Sequence, residues 1–187
     1  MSVITKLLSR EAMLWAHKWL GVVSSVVLGV AGFTGAMLVV QYESGVGSLT
    51  LRLHESLGLG QAGWAIVVLA AVAAVALQLS GVYLWWKKKS LRIRTNAGWR
   101  RLAIDLHHTT GAIGCLLMIT IAATGAGRVA LRLLDFTDNY PAFKGAVSQI
   151  HVTKGFSWPF KVLFFAGSLS FCVQAVTGLA MFWRQRS

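Results

Sequence analysis

The chain has 187 residues, 56% of them hydrophobic and 13% charged, with a formal net charge of +12 and a mean hydropathy of +0.63. So apolar a composition excludes an ordinary soluble domain of this size. The excess of base does not make a nucleic-acid binder, because the basic residues flank apolar runs and form no soluble reading platform; anionic lipid headgroups account for them.

Four segments reach membrane length, at residues 19–40, 62–86, 104–126 and 160–183, each near the roughly 20 residues that a helix needs to cross about 30 Å of hydrocarbon. The first has no small-residue cleavage site and reads as a span, not a signal peptide. Ala16-His17 precedes it, Gly21, Ser25 and Gly29 give it a small-xxx-small packing face, and Thr34-Gly35 lies near its far end. Leu53-His54 stands in the following loop, which has room for an interfacial helix but no globular domain. The second span ends in Ser80-Gly81 and Trp85-Trp86. After a basic loop, Asp105-Leu106-His107 opens the third span, where Asp105 reads as a helix cap in preference to a partner for His107. Thr124-Gly125 lies near the end of this span, and Ile150-His151 in the second outer loop. The fourth span carries Thr177-Gly178 and closes at Trp183. Its Cys172, like Cys115 in the third, reads as a packing residue, and the tryptophans mostly mark headgroup belts.

These elements predict an all-α integral membrane four-helix bundle in one domain, 1–187. Basic residues give its orientation, since Lys6, Arg10, Lys18, the seven of the middle loop, Arg184 and Arg186 are twelve of the 18 Lys and Arg. Both termini are therefore expected on the cytoplasmic side of the membrane. Landmarks also repeat. His17, Gly21 and Thr34-Gly35 recur 90 residues later as His107, Gly111 and Thr124-Gly125, whereas His54, Ser80-Gly81 and Trp86 recur 97 residues later as His151, Thr177-Gly178 and Trp183. The pattern is that of a tandem duplication, with repeat 1 at about 12–89 and repeat 2 at about 102–187.

Orientation then sorts the histidines into two pairs, His17 with His107 on the cytoplasmic face and His54 with His151 on the outer. A neutral imidazole offers nitrogen to iron, and two from facing helices can hold one haem from both sides. The expected cofactor is haem, two per chain, and iron with both axial positions filled by protein serves electron transfer. His108 is the rival of His107, which we prefer because His17 and His107 share the same spacing to a glycine. Each Ser/Thr-Gly pair falls at the level of a histidine pair. Gly35, Gly81, Gly125 and Gly178 would let a flat macrocycle approach the backbone, while the hydroxyls bond backbone or propionate. No phosphate-cradling glycine loop is present, so any flavin or nicotinamide domain belongs to another chain. A metal transporter fits less well, because Gln78 and Gln174 are the main polar side chains at depth and no carboxylate joins them.

The combination of His17-Lys18-Trp19-Leu20-Gly21, Thr34-Gly35, Leu53-His54, Ser80-Gly81-Val82-Tyr83-Leu84-Trp85-Trp86 and Asp105-Leu106-His107 resembles the PepSY-associated transmembrane proteins, which include membrane ferric-siderophore reductases. The likeness implies b-type haem on His17, His54, His107 and His151 and electrons passed outward to a periplasmic acceptor. The short loops have no counterpart of the periplasmic PepSY domains of longer members, so the chain looks like a small four-helix member. Quinol or a flavoprotein is the expected donor. The competing reading is a cofactor-free accessory or assembly subunit of a larger respiratory or photosynthetic membrane complex.

Overall fold

The computed structural model describes residues 9–41, 48–87, 89–133, 141–153 and 155–183. Lys6, Glu43, Lys88, Asp135, Asp138, Lys154, Arg184 and Arg186, which contribute to the charge reading, lie outside the described residues. Within them every regular element is a helix: α1 (Arg10–Gln41), α2 (Ser48–Ser56), α3 (Gly60–Trp86), α4 (Trp99–Leu133), α5 (Pro141–Val152) and α6 (Trp158–Trp183). Four of them, α1, α3, α4 and α6, are long and apolar enough to cross a membrane. Both prolines sit in the first turn of a helix, Pro141 in α5 and Pro159 in α6, where a missing N–H breaks no hydrogen bond.

α1 packs mainly against α3 and α6, and α4 packs against the same two, so α1 and α4 face each other across the bundle. The two short helices lie at the same end: α2 packs on α1 and α3, and α5 on α4. Each short helix stops in the same way. Leu57 and Gly58 follow α2 at φ 52° and 76°, and Thr153 and Gly155 follow α5 at φ 54° and 78°. A left-handed residue ends a helix by turning its last N–H groups back on the carbonyls, and glycine takes it without a Cβ clash. The ordered breaks swing the chain from each short helix into the next span.

The middle of the bundle is closed by Ala74, Met118, Ala122 and Phe171, of which Met118 is fully buried. α1 and α6 approach closest where a Cβ on Gly32 would lie 2.7 Å from both Phe171 Cβ and the Ser168 carbonyl oxygen. Gly29 beside Ala175 extends this contact, as the small-residue spacing of the first span anticipates. Outward, large apolar side chains such as Val23 and Leu116 are 77% and 80% exposed, which is the solution for a bundle solvated by lipid.

The helices that carry the first and third spans run past 19–40 and 104–126, because the turns at their ends remain helical; His17 and His107 therefore sit about two turns inside their helices. One sequence expectation needs correction. Asp105 does not cap the third helix, which begins at Trp99. Its carboxylate is buried and accepts Nε–H and Nη2–H bonds from Arg94, both at 2.9 Å, with Arg101 Nε 3.1 Å away. Asp105 thus ties the loop between α3 and α4 to α4.

Candidate cofactor site: two histidine pairs

The four histidines meet in the two pairs expected, at opposite ends of the bundle. His17 on α1 and His107 on α4 come from facing helices, with ring centres 6.3 Å apart and planes at 87°. His54 and His151 do not lie in loops; they ride on the short helices α2 and α5, with ring centres 5.9 Å apart and planes at 27°. With metal–imidazole bonds of about 2.0–2.1 Å and about 1.1 Å from nitrogen to ring centre, two imidazoles on opposite sides of one metal have centres roughly 6.3 Å apart. The separations of both pairs lie close to that value. His107 is the member of the 107–108 dyad that faces His17, whereas His108 is exposed.

Each ring is held by a hydroxyl at Nδ1, and the four contacts are alike. His17 meets Ser80 Oγ at 2.8 Å, His107 meets Thr177 Oγ1 at 2.9 Å, His54 meets Thr34 Oγ1 at 3.2 Å and His151 meets Thr124 Oγ1 at 3.1 Å. The direction of these bonds follows from what else the hydroxyls do. Ser80, Thr177, Thr34 and Thr124 each donate to the carbonyl four residues earlier, at 2.6 to 2.7 Å. A hydroxyl has one proton, so its oxygen accepts from the imidazole and Nδ1–H is the donor. His54 confirms the assignment independently, because its Nδ1 also lies 3.0 Å from the Ala31 carbonyl, which can only accept. All four rings therefore carry their proton on Nδ1 and keep a lone pair on Nε2, the tautomer that a metal requires.

The glycine beside each hydroxyl makes room for the ring. An added Cβ would meet His54 Cε1 at 3.1 Å from Gly35, His17 Cε1 at 3.3 Å from Gly81, His151 Cε1 at 2.9 Å from Gly125 and His107 Cε1 at 3.5 Å from Gly178. The Ser/Thr-Gly pairs are thus imidazole seats in this structure, which their spacing alone did not reveal. A further contact was missed as well. Gln174 reaches from α6 to donate Nε2–H bonds to the His107 carbonyl at 2.8 Å and to Thr110 Oγ1 at 2.7 Å. Gly111 leaves the space for it, since a Cβ there would stand 3.2 Å from Gln174 Nε2. The signal in the sequence was a lone amide in an apolar span.

The outer pair borders a cavity of about 80 Å³ whose walls include Phe171, Ile121 and Gly125, with Glu55 and Arg128 as its charged members. Burial holds the His54 imidazole below its ordinary range; burial, with His54 and Arg128 as neighbours, pushes His151 down to about 3. Both stay neutral at physiological pH, as ligands must. Among the described residues no group of three or more His, Cys, Asp or Glu could hold a metal ion. Cys115 and Cys172 are free thiols on α4 and α6, and Cys172 Sγ lies 3.4 Å from the Gly29 carbonyl in the α1–α6 contact.

A family model described as the PepSY-associated TM region matches residues 41–135. The match holds one histidine of each pair, His54 and His107, together with Ser80-Gly81 and Thr124-Gly125. No curated protein and no solved structure matches the chain.

Proposed function

Since this chain belongs to the PepSY-associated transmembrane family, we propose that it is a dihaem membrane protein that passes electrons across the bacterial inner membrane. The observation that carries the reading is the fourfold recurrence of one seat: a histidine with Nδ1–H on a hydroxyl, Cε1 against a glycine and Nε2 left for iron. His17 and His107 would hold one haem near one face, and His54 and His151 the other near the opposite face. Haem b, if bound there, would supply a one-electron carrier. The 17 residues from His107 to Thr124 separate the two levels by roughly 26 Å along α4, which suits one site per leaflet of a core about 30 Å thick.

The residues around the irons do three things. The hydroxyls fix the tautomer and orient each ring, the glycines set how closely it approaches the backbone, and the Ala74–Met118–Ala122–Phe171 plug keeps water out between the levels. We place both termini in the cytoplasm from the basic flanks, and we read the offsets of 90 and 97 residues as a tandem duplication of a two-helix unit. Electrons enter from a quinol or a flavoprotein and leave to a periplasmic acceptor.

The test is the absorption spectrum of protein purified from haem-replete cells, with haem quantified as the pyridine haemochrome. Two b-type haems per chain are expected. A colourless preparation that assembles normally with a stoichiometric membrane partner, and tolerates His→Ala changes, would instead identify an accessory subunit.

A further inference from the structure

Arg128 stands on α4 one turn beyond Gly125, so its side chain leaves the helix on the face that carries the His151 seat. It lines the outer cavity together with His54, His151 and Glu55. Its Nη2 lies 4.0 Å from Glu55 Oε1, with the two side chains 22% and 20% exposed. The guanidinium and the carboxylate thus stand in a mostly apolar wall, where desolvation makes a charge costly and a charged partner valuable. The repeat sets the pair apart. The hydroxyls, glycines and histidines of this site all have counterparts in the other half, but 90 residues before Arg128 stands Leu38, and 97 residues after Glu55 stands Val152. The pair is therefore not part of the duplicated scaffold.

Arginine presents a planar fork matched to a carboxylate, and such bonds are about twice as strong as neutral ones. We infer that Arg128 is a carboxylate-binding residue at the outer mouth of this cavity, and that its ligand is a propionate of the haem held by His54 and His151. This rests on the haem reading above. Glu55 limits the grip, because it shares the guanidinium with the incoming carboxylate. Arg128 also favours the reduced state of the outer site, since it keeps positive charge beside iron that is less positive after reduction.

The experiment uses the full chain, reconstituted either with haem or with haem dimethyl ester, whose propionates are esterified and cannot pair with arginine. Wild type, Arg128→Gln and Arg128→Lys are compared by haem retention and by redox titration, with the outer couple assigned as the one lost in His151→Ala. For native haem, Arg128→Gln should retain the outer haem roughly tenfold less well and lower its midpoint by about 59 mV, a tenfold change for one electron. The inner couple should not move, and Arg128→Lys should fall between, which carries the test if the glutamine variant does not fold. With the dimethyl ester the three proteins should retain the outer haem equally well, while the charge lost in Arg128→Gln still lowers its midpoint. Unchanged retention of native haem in Arg128→Gln, or an equal loss of retention with the ester, overturns the role of Arg128 while leaving the two-haem reading in place. A chain that takes up neither porphyrin overturns both.

Discussion

Alanine in place of each seat glycine gives a graded test, because the distance at which a Cβ would stand from the ring differs among the four sites. At Gly125 the gap to His151 Cε1 is 2.9 Å, about 0.6 Å short of the ~3.5 Å at which carbon–carbon contact becomes favourable. The ring must retreat by that amount, which stretches the 3.1 Å bond from His151 Nδ1 to Thr124 to roughly 3.7 Å, beyond hydrogen-bonding range. Overpacking costs about 1–3 kcal/mol and the lost bond about 1 kcal/mol, against a gain of about 0.5–1 kcal/mol from alanine in a helix. Gly125→Ala should therefore destabilise the protein by about 1–3 kcal/mol and weaken outer haem binding by about 10- to 100-fold, the range for loss of a ligand's supporting contact. At Gly178 the corresponding gap to His107 Cε1 is 3.5 Å, an ordinary contact, so Gly178→Ala should keep its haem and gain up to about 1 kcal/mol. Gly35→Ala and Gly81→Ala, at 3.1 and 3.3 Å, fall between in that order. The assay is haem stoichiometry with thermal unfolding in one detergent. Equal haem loss at Gly178 and Gly125, or none at either, would refute the seat as described.

Other outcomes follow from the same geometry. His17→Ala or His107→Ala should remove one haem and leave the second, and His54→Ala or His151→Ala should do the reverse, while His108→Ala keeps both; haemochrome counts on the purified variants decide. In frozen ferric protein the inner pair, with planes at 87°, should give the highly anisotropic low-spin signal of near-degenerate iron d orbitals. The outer pair, at 27°, should give an ordinary rhombic one, and two identical signals by electron paramagnetic resonance would contradict the ring orientations. Ser80→Ala or Thr177→Ala removes the acceptor at Nδ1 and should weaken the inner site by about 10- to 100-fold, read as haem lost on dilution. Asp105→Ala should lower the unfolding temperature without loss of haem, since Asp105 holds Arg94 and Arg101 rather than His107; loss of the inner haem would overturn that assignment.

The histidine pairing and the four spans were legible because membrane-length apolar runs and recurring landmarks are properties of local sequence. Helix ends were less so. Arg94 and Arg101 on Asp105 stabilise turns that look polar enough to be loop, and the helices α2 and α5, of 9 and 12 residues, are too short for periodicity to separate them from loop. The hydroxyl–imidazole contacts depend on the rotational phase of each helix and on which helices are neighbours; spacing placed Ser80 at the level of His17 but could not aim it. Gln174 and Arg128 fell outside the repeat that guided the reading, and polar residues that break a repeat inside a span were the signal to follow.

The central claim is that each histidine pair holds one iron. Its most direct measurement is the pyridine haemochrome stoichiometry of the purified full chain beside that of a His17→Ala, His54→Ala double variant. We expect two haems b per wild-type chain and none in a double variant that still folds and inserts; a wild-type chain without haem, or a folded double variant that retains both, would contradict it.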